Sequence, residues 1–166
     1  MRLGAFPAAL AFAACLAVSA LAAPRLTATT PRDIVVLFYK LSAGPNGKYE
    51  GTTAYDDKSV RARYFSKAFL AAATKVEAAD AKANGVTIDW DPITNSQDPD
   101  VKKLEITVEK ESPERSVVVA RFVGFGKAIA VHYDFIKEAG GWKLDDIRDT
   151  NDQGETSIRA ALAASK

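Results

Sequence analysis

AIAVHYDFIK, residues 128–137, and WKLDDI, residues 142–147, decide the fold of this chain. In both stretches apolar and polar residues alternate, as they do in a strand with one buried face. Gly140 and Gly141 lie between them and permit the positive dihedrals of a tight turn, so the pattern predicts a β-hairpin with a loop of two or four residues. Its predicted core face carries Ile129, Val131, Tyr133, Phe135, Trp142 and Leu144. Its other face carries His132, Asp134, Lys143 and Asp145.

The alternating pattern extends upstream of the hairpin. Residues 117–123 are apolar on both sides, which indicates a central strand. Leu104, Ile106 and Val108 alternate with polar residues and predict a strand with one wet face. The same alternation over residues 86–90 predicts a further strand, followed by a turn-rich loop over residues 92–99.

The region before residue 86 has helical spacing instead. Thr30 and Pro31 form a good helix start, and this helix should end near residues 44–45. A short helix is predicted over residues 58–64, and a longer one begins after Ser66 and ends at residues 84–85. A short amphipathic helix is predicted over residues 156–164. Helices followed by consecutive antiparallel strands predict an α+β fold, with the N-terminal helices packed on a curved antiparallel sheet of about four strands.

The N-terminus has the pattern of an export signal. Arg2 is followed by uncharged, apolar residues 3–21, and Ala20-Leu21-Ala22 is a small-x-small cleavage site. We therefore predict a cleavable signal peptide over residues 1–22, a linker over residues 23–30 and a single α+β domain over residues 31–166. The mature protein is expected to be periplasmic or secreted, with no membrane span after cleavage.

Cys15 leaves an alternative open. Residues 12–15 read Phe-Ala-Ala-Cys, which is a poor version of a lipoprotein processing box, and the apolar run continues beyond the cysteine. Cleavage near Ala22 is the preferred interpretation, and it leaves a mature chain without cysteine. That excludes disulfides, a thiol nucleophile and a thiolate metal site.

Charge is nearly balanced, with 22 Lys and Arg against 21 Asp and Glu. The charged residues are interspersed and form no basic run, so nucleic acid is not an expected partner, because its binding needs a concentrated positive field. No cofactor motif is present, and we expect no cofactor.

Several segments together resemble a known family. They are Phe38-Tyr39, Tyr64-Phe65-Ser66, Asp89-Trp90-Asp91-Pro92, Asn95-Ser96-Gln97-Asp98 and residues 140–147, GGWKLDDI. In these the chain resembles the exported domain-of-unknown-function family that includes the YbjP and YqhG envelope proteins. The resemblance spans nearly all of the predicted mature chain. It implies a cystatin-like or nuclear-transport-factor-like cone of helices on a bent sheet, located outside the cytoplasm, and it carries no assigned catalytic residue. Some relatives are lipoproteins, and the poor processing box at Cys15 departs from them.

The acidic loop is the first candidate binding site. It concentrates side-chain oxygens that hard cations favour, but its spacing does not match an EF-hand, so no metal is assigned to it. The alternative is a loop whose Asp and Asn side chains bond their own backbone. The candidate binding residues are Asp89, Trp90, Asp91, Asn95, Gln97 and Asp98, with Asp100 nearby, together with the loop tyrosines Tyr49 and Tyr55.

His132, the only histidine, is the weaker candidate for catalysis. With Asp134 or Asp145 it could form a carboxylate-oriented general base. However, the chain has no nucleophile motif and no second histidine for a metal. The preferred hypothesis is therefore a non-enzymatic binding or accessory domain of the cell envelope that contacts another protein. The alternatives are a small-ligand carrier with a cavity between helices and sheet, or a hydrolase or isomerase using His132.

Overall fold

The computed structural model describes residues 28–48, 51–151 and 154–165, with the side chains of residues 150 and 151 excepted. The predicted signal peptide, Cys15, most of the predicted linker and Tyr49 lie outside these residues. Within them the fold is α+β, as predicted. The helices are α1 (Pro31–Ser42), α2 (Lys58–Tyr64), α3 (Lys67–Ala83) and α4 (Ile158–Ala164). The strands are β1 (Lys102–Glu111), β2 (Arg115–Gly124), β3 (Lys127–Glu138), β4 (Gly141–Asn151) and β5 (Gly154–Ser157).

Side-chain caps fix where the helices begin. The Thr30 side chain accepts a hydrogen bond from the Asp33 amide, and Pro31 occupies the first turn of α1. Ser66 accepts from the Phe69 amide at the start of α3, and α3 ends at Asn84, which has a left-handed φ of 51°. The predicted starts of both helices and the predicted end of α3 are therefore confirmed, while α1 ends at Ser42, two residues before the expected 44–45.

The five strands form one antiparallel sheet in sequence order, β1-β2-β3-β4-β5. The predicted hairpin is confirmed with a two-residue loop, because Glu138 pairs with Gly141. Helices pack against the face that carries Tyr133, Phe135 and Leu144, all at most 1% exposed. The core is aromatic at its centre, where the Phe65 ring is tilted against Phe38 and edge-on to Phe69.

Two sequence predictions about strands are wrong. Residues 86–90 form no strand, and Val86 is 71% exposed. The reason is that Asp80, on α3, accepts hydrogen bonds from the backbone amide and the hydroxyl of Thr87, which holds this segment against the helix end. The four residues of β5 were not predicted; they pair with the end of β4, and α4 begins at Ile158 rather than at residue 156.

The first strand is only partly covered. Ile106 is buried, but Leu104 and Val108 on the same face are 40% and 42% exposed. β1 is an edge strand, and α1 lies beside it. A concave strip between α1 and β1 consequently stays open.

Candidate functional site

The acidic loop forms one wall of a cleft, which we call the acidic cleft. Its volume is about 390 Å³. It lies between the loop that precedes α2, the segment after α3 and the turn that follows. The lining residues are Thr53, Tyr55, Asp56, Ile88, Asp89, Trp90, Asp91, Gln97 and Pro99. Five predicted binding residues thus come together: Tyr55, Asp89, Trp90, Asp91 and Gln97.

Asp91 builds the turn that shapes this wall. Its backbone exchanges two hydrogen bonds with Ser96, at 3.1 and 3.3 Å. Its carboxylate accepts from the Ile93 amide at 3.1 Å and from the Thr94 hydroxyl at 3.0 Å. The residue is 7% exposed, and burial raises the pKa of its carboxyl group despite these donors. Asp91 is therefore chiefly a structural residue of the loop.

A buried hydrogen bond ties the loop to the sheet. The Tyr133 hydroxyl, on β3, donates to the Ile93 carbonyl oxygen at 2.6 Å. The hydroxyl of Tyr39, on α1, lies 3.0 Å from that of Tyr133. Burial raises the pKa of both tyrosines, so both hydroxyls stay protonated. Helix, sheet and loop therefore meet at one polar point inside the core.

The outer part of the cleft is held by lighter contacts. The Gln97 side-chain amide donates to the backbone carbonyl and to the carboxylate of Asp89, at 3.0 and 3.2 Å. The Thr53 hydroxyl donates to the Asp56 carboxylate at 2.8 Å. Asp89 is exposed, and its carboxylate faces the opening with one neutral donor beside it. Asp89 and Asp56 therefore present negative charge to solvent at the cleft mouth.

Aromatic side chains complete the walls. Tyr55 is 8% exposed and packs on Phe65 and Phe69, and burial raises its pKa to about 12. The Arg61 guanidinium lies 5.6 Å from its ring centroid. Trp90 is half-buried against the core and lines the opening. The cleft thus pairs carboxylates with aromatic surfaces.

Other residues of the predicted acidic site lie elsewhere. The Asn95 amide turns away to donate to the Asp149 carboxylate at 2.7 Å. Asp98 and Asp100 line a separate hollow beside Lys48, Lys102 and Phe125. Asp100 is paired with Lys102 at 2.9 Å. The acidic loop therefore divides its polar side chains among three places.

The predicted catalytic group does not assemble. The Arg148 guanidinium donates two hydrogen bonds to the Asp134 carboxylate, from Nε at 2.5 Å and from Nη2 at 2.9 Å. A bulge in β4 puts Asp146 opposite Asp134 and shifts Asp145, which instead accepts from the Ser66 hydroxyl at 2.7 Å and pairs with Arg159. The prediction that His132, Asp134 and Asp145 share a face is therefore wrong for Asp145. One extra residue in a strand shifts the alternation, so that side chains beyond it point to the opposite face of the sheet from the one predicted.

His132 sits on the sheet face away from the helices. Its Nε2 lies 3.8 Å from a Glu109 carboxylate oxygen, and its Nδ1 is buried with no hydrogen-bond partner among the described residues. Burial lowers its pKa more strongly than Glu109 raises it. Among the described residues, no carboxylate lies within hydrogen-bond distance of the imidazole, so the predicted carboxylate-oriented general base is not formed. No cluster of three or more His, Cys, Asp or Glu suited to a metal occurs there either.

The second side of the cleft could not be predicted from the sequence. Thr53 and Asp56 come from a loop over thirty positions before Asp89, and nothing in the sequence links the two segments. A weak local signal existed: Thr-x-x-Asp at positions 53–56 is a pattern of side chains that bond their own backbone, and the Asp56 amide indeed donates to the Thr53 hydroxyl at 3.1 Å.

Comparisons with protein-family models, with curated proteins and with solved structures gave no match. Among the residues that the structure covers, no helix has the length and apolar character needed to cross a membrane.

Proposed function

We propose that this chain is an exported, non-enzymatic accessory domain of the cell envelope, of the cystatin-like type. It binds a partner protein by receiving a lysine or arginine side chain of that partner in the acidic cleft. One observation carries the proposal: three carboxylates and two aromatic rings surround an opening of about 390 Å³, and the described residues that line it include no lysine or arginine. Arg61, which lies behind the Tyr55 ring, is paired with Glu77.

Each part of the cleft favours a cationic guest. The exposed carboxylates of Asp89 and Asp56 attract it from solution and pair with it at the mouth. Trp90 is half-buried and lines the opening, and the ring of tryptophan binds ammonium and guanidinium groups. The Tyr55 ring already lies beside the Arg61 guanidinium, so it serves as a wall of the cleft. A cation placed beside Asp91 also offsets the cost of burying that carboxylate's charge. The hydrogen bonds of Asp91 and Tyr133 hold the base of the loop before binding, which reduces the entropy lost on association.

A matched pair of peptides tests the cleft. A short arginine peptide is titrated into the protein. The same peptide with citrulline in place of arginine is the control, because citrulline has nearly the same shape and no charge. Trp90 is one of two tryptophans, so a Trp142→Phe background isolates its fluorescence. We expect the arginine peptide to change this fluorescence saturably and to bind about tenfold tighter than the citrulline peptide, since two exposed pairs contribute up to about 1 kcal/mol each. Equal affinities would refute a site for cations.

Variants locate the binding. Asp89→Asn removes charge at the mouth but keeps a side-chain oxygen that can accept from Gln97, and the Gln97 bond to the Asp89 backbone carbonyl is unaffected. It should weaken binding of the arginine peptide severalfold. Asp98→Asn, in the neighbouring hollow, is the control and should leave its affinity unchanged. In envelope extract, a partner cross-linked by the unaltered protein should be lost from Asp89→Asn and retained by Asp98→Asn. Recovery of the same partner by all three proteins would contradict the proposed surface.

Export has its own test. The proposal expects signal cleavage after Ala22 and an envelope location of the product. Mass spectrometry of the purified protein, expressed from the full sequence, should give a mature chain that begins at Ala23. A chain that begins at a lipid-modified Cys15 would favour the lipoprotein alternative. A chain retained uncleaved in the cytoplasm would contradict export.

A small-ligand carrier remains the second candidate, because the cleft volume lies within the ~300–1,000 Å³ of small-molecule sites. Binding of a free aromatic or alkyl amine as tightly as the peptide would favour it. The hydrolase or isomerase alternative has less support. The Asp134 carboxylate is paired with Arg148, and the Asp145 carboxylate accepts from the Ser66 hydroxyl, so neither orients His132.

A further inference from the structure

A second concavity, which we call the basic groove, lies between α1 and the edge strand β1. Its volume is about 370 Å³. Arg32, Val36, Tyr39 and Lys40 line it from α1, and Val101, Leu104 and Ile106 line it from the β1 side. Residues 43–47 close one end, where the Val101 amide donates to the Gly47 carbonyl oxygen at 2.9 Å.

The groove carries charge of one sign. Arg32 and Lys40 are its charged lining residues in the described structure, and no carboxylate lines it. The Arg32 Nε donates to the Ile106 carbonyl oxygen at 3.0 Å, which fixes the guanidinium at the edge of the sheet. Its two terminal nitrogens make no bond to a described residue. A guanidinium held in this way is prepared to receive a carboxylate.

An apolar strip separates the two cations. Val36 lies one helical turn from each of them, on the same helix. Across the groove Ile106 forms a buried floor, and Leu104 is left 40% exposed. An apolar side chain placed here would cover Leu104 and Val36 and remove apolar surface from water on both sides, which favours binding.

The spacing selects the form of the ligand. Arg32 and Lys40 are eight residues apart on α1, which is roughly 12 Å along the axis. In an extended peptide, side chains on one face repeat every second residue, so residues i and i+4 lie roughly 13 Å apart. Two acidic side chains at i and i+4 match the two cations, and an apolar side chain at i+2 falls on the strip between them.

We propose that the basic groove binds an extended segment of a partner protein with the pattern acidic-x-apolar-x-acidic. The site is independent of the acidic cleft, which lies elsewhere on the fold and has the opposite charge. The Ile106 carbonyl oxygen on the edge strand already accepts from Arg32, so it is not free to accept from the backbone of a bound peptide. The bound segment is therefore held by its side chains and does not add a strand to the sheet there.

A fluorescein-labelled peptide, Ser-Glu-Ser-Leu-Ser-Glu-Ser, tests the inference by fluorescence polarisation with the full domain. We expect saturable binding that weakens at high salt. Replacing both glutamates by glutamine should weaken it about tenfold, since each exposed pair contributes severalfold. Moving the second glutamate one position nearer, which turns it to the other face of the peptide, should weaken it severalfold.

Variants assign the contacts. Lys40→Gln changes an exposed residue, so it should fold normally and weaken binding about threefold. Leu104→Ser should weaken it through the lost apolar contact. Lys75→Gln, an exposed lysine on α3, is the matched control and should leave the affinity unchanged. Asp89→Asn should also leave it unchanged, which separates this site from the acidic cleft.

Three results would overturn the proposal. One is the absence of saturable binding below about 1 mM peptide. Another is equal affinity for the glutamate and glutamine peptides, or an unchanged affinity in Lys40→Gln. The third is saturation by a free medium-chain carboxylate with no response to the peptide, which would make the occupant a small amphiphile instead.

Discussion

Replacing Tyr133 by phenylalanine should loosen the acidic loop from the core. The change removes one oxygen and leaves the ring, so packing with the neighbouring aromatic residues is preserved. It deletes the donor that reaches the Ile93 carbonyl at 2.6 Å, in a residue with 0% exposure. A buried acceptor without a partner costs about 1–3 kcal/mol. The Tyr39 hydroxyl, 3.0 Å away, also loses its neighbour.

We therefore expect Tyr133→Phe to lower the free energy of unfolding by about 2–3 kcal/mol in urea titrations. At about 2–4 °C per kcal/mol for chains of this size, Tm should fall by roughly 5–10 °C. Because the loop carries Asp89 and Trp90, affinity for the arginine peptide should fall as well. Stability and binding should thus change together.

Tyr39→Phe is the control. It removes the other hydroxyl of the pair but leaves the Tyr133 bond to Ile93 intact, so it should cost only about 1 kcal/mol and leave peptide affinity unchanged. The reasoning is refuted if the two variants lose equal stability. It is also refuted if Tyr133→Phe costs less than ~0.5 kcal/mol, since the carbonyl would then not depend on this donor.

Three further predictions concern the frame around the sites. Asp145→Ala should lower the free energy of unfolding by about 1–3 kcal/mol in a urea titration, because the Ser66 hydroxyl loses its buried acceptor. Asp145→Asn keeps an acceptor oxygen and should lose less stability. Equal losses in the two variants would contradict the role of the acceptor. Burial lowers the pKa of His132, so the folded state resists its protonation. The contribution of His132 to stability should be constant above pH 6.5 and should fall as the pH drops from there to the depressed pKa; this part of the pH dependence should be absent from His132→Gln, and imidazole NMR can follow the protonation. Gly47→Ala, with φ +71° and an added Cβ only 2.1 Å from a backbone oxygen, should lower Tm more than Gly126→Ala, which has similar φ and open space; equal effects would exclude the clash.

The features that could be predicted from the sequence are set by neighbours along the chain. Thr30-Pro31 starts α1, Ser66 starts α3 and Asn84 ends it, and each works through contacts within four residues. The β3–β4 hairpin is local too, because its two-residue loop sets the register. Fold class followed from these elements, since their order and their apolar faces leave few ways to bury them.

The features that could not be predicted depend instead on contacts between residues that are far apart in the sequence. The segment at residues 86–90 alternates like a strand, but none of the described strands pairs with it, and Asp80 holds it to the end of α3 instead. Strand propensity alone does not decide such a case, because a strand is stable only through its partners. The β4 bulge is equally invisible in the pattern, although it determines where Asp145 points. Binding sites were harder to predict than helices and strands for the same reason. The acidic cleft is formed by two loops that only the tertiary fold brings together.

The acidic loop also shows why residue type alone could not separate a structural carboxylate from a binding one. Asp91 and Asp89 are two positions apart and line the same cleft, yet their partners differ. Asp91 accepts from a buried amide and a hydroxyl of its own turn, so removing its charge disturbs the loop. Asp89 meets one side-chain amide at 3.2 Å and stays exposed, so its charge is available to a ligand. An Asp89 variant can therefore report on binding alone, whereas an Asp91 variant would report on folding and binding together.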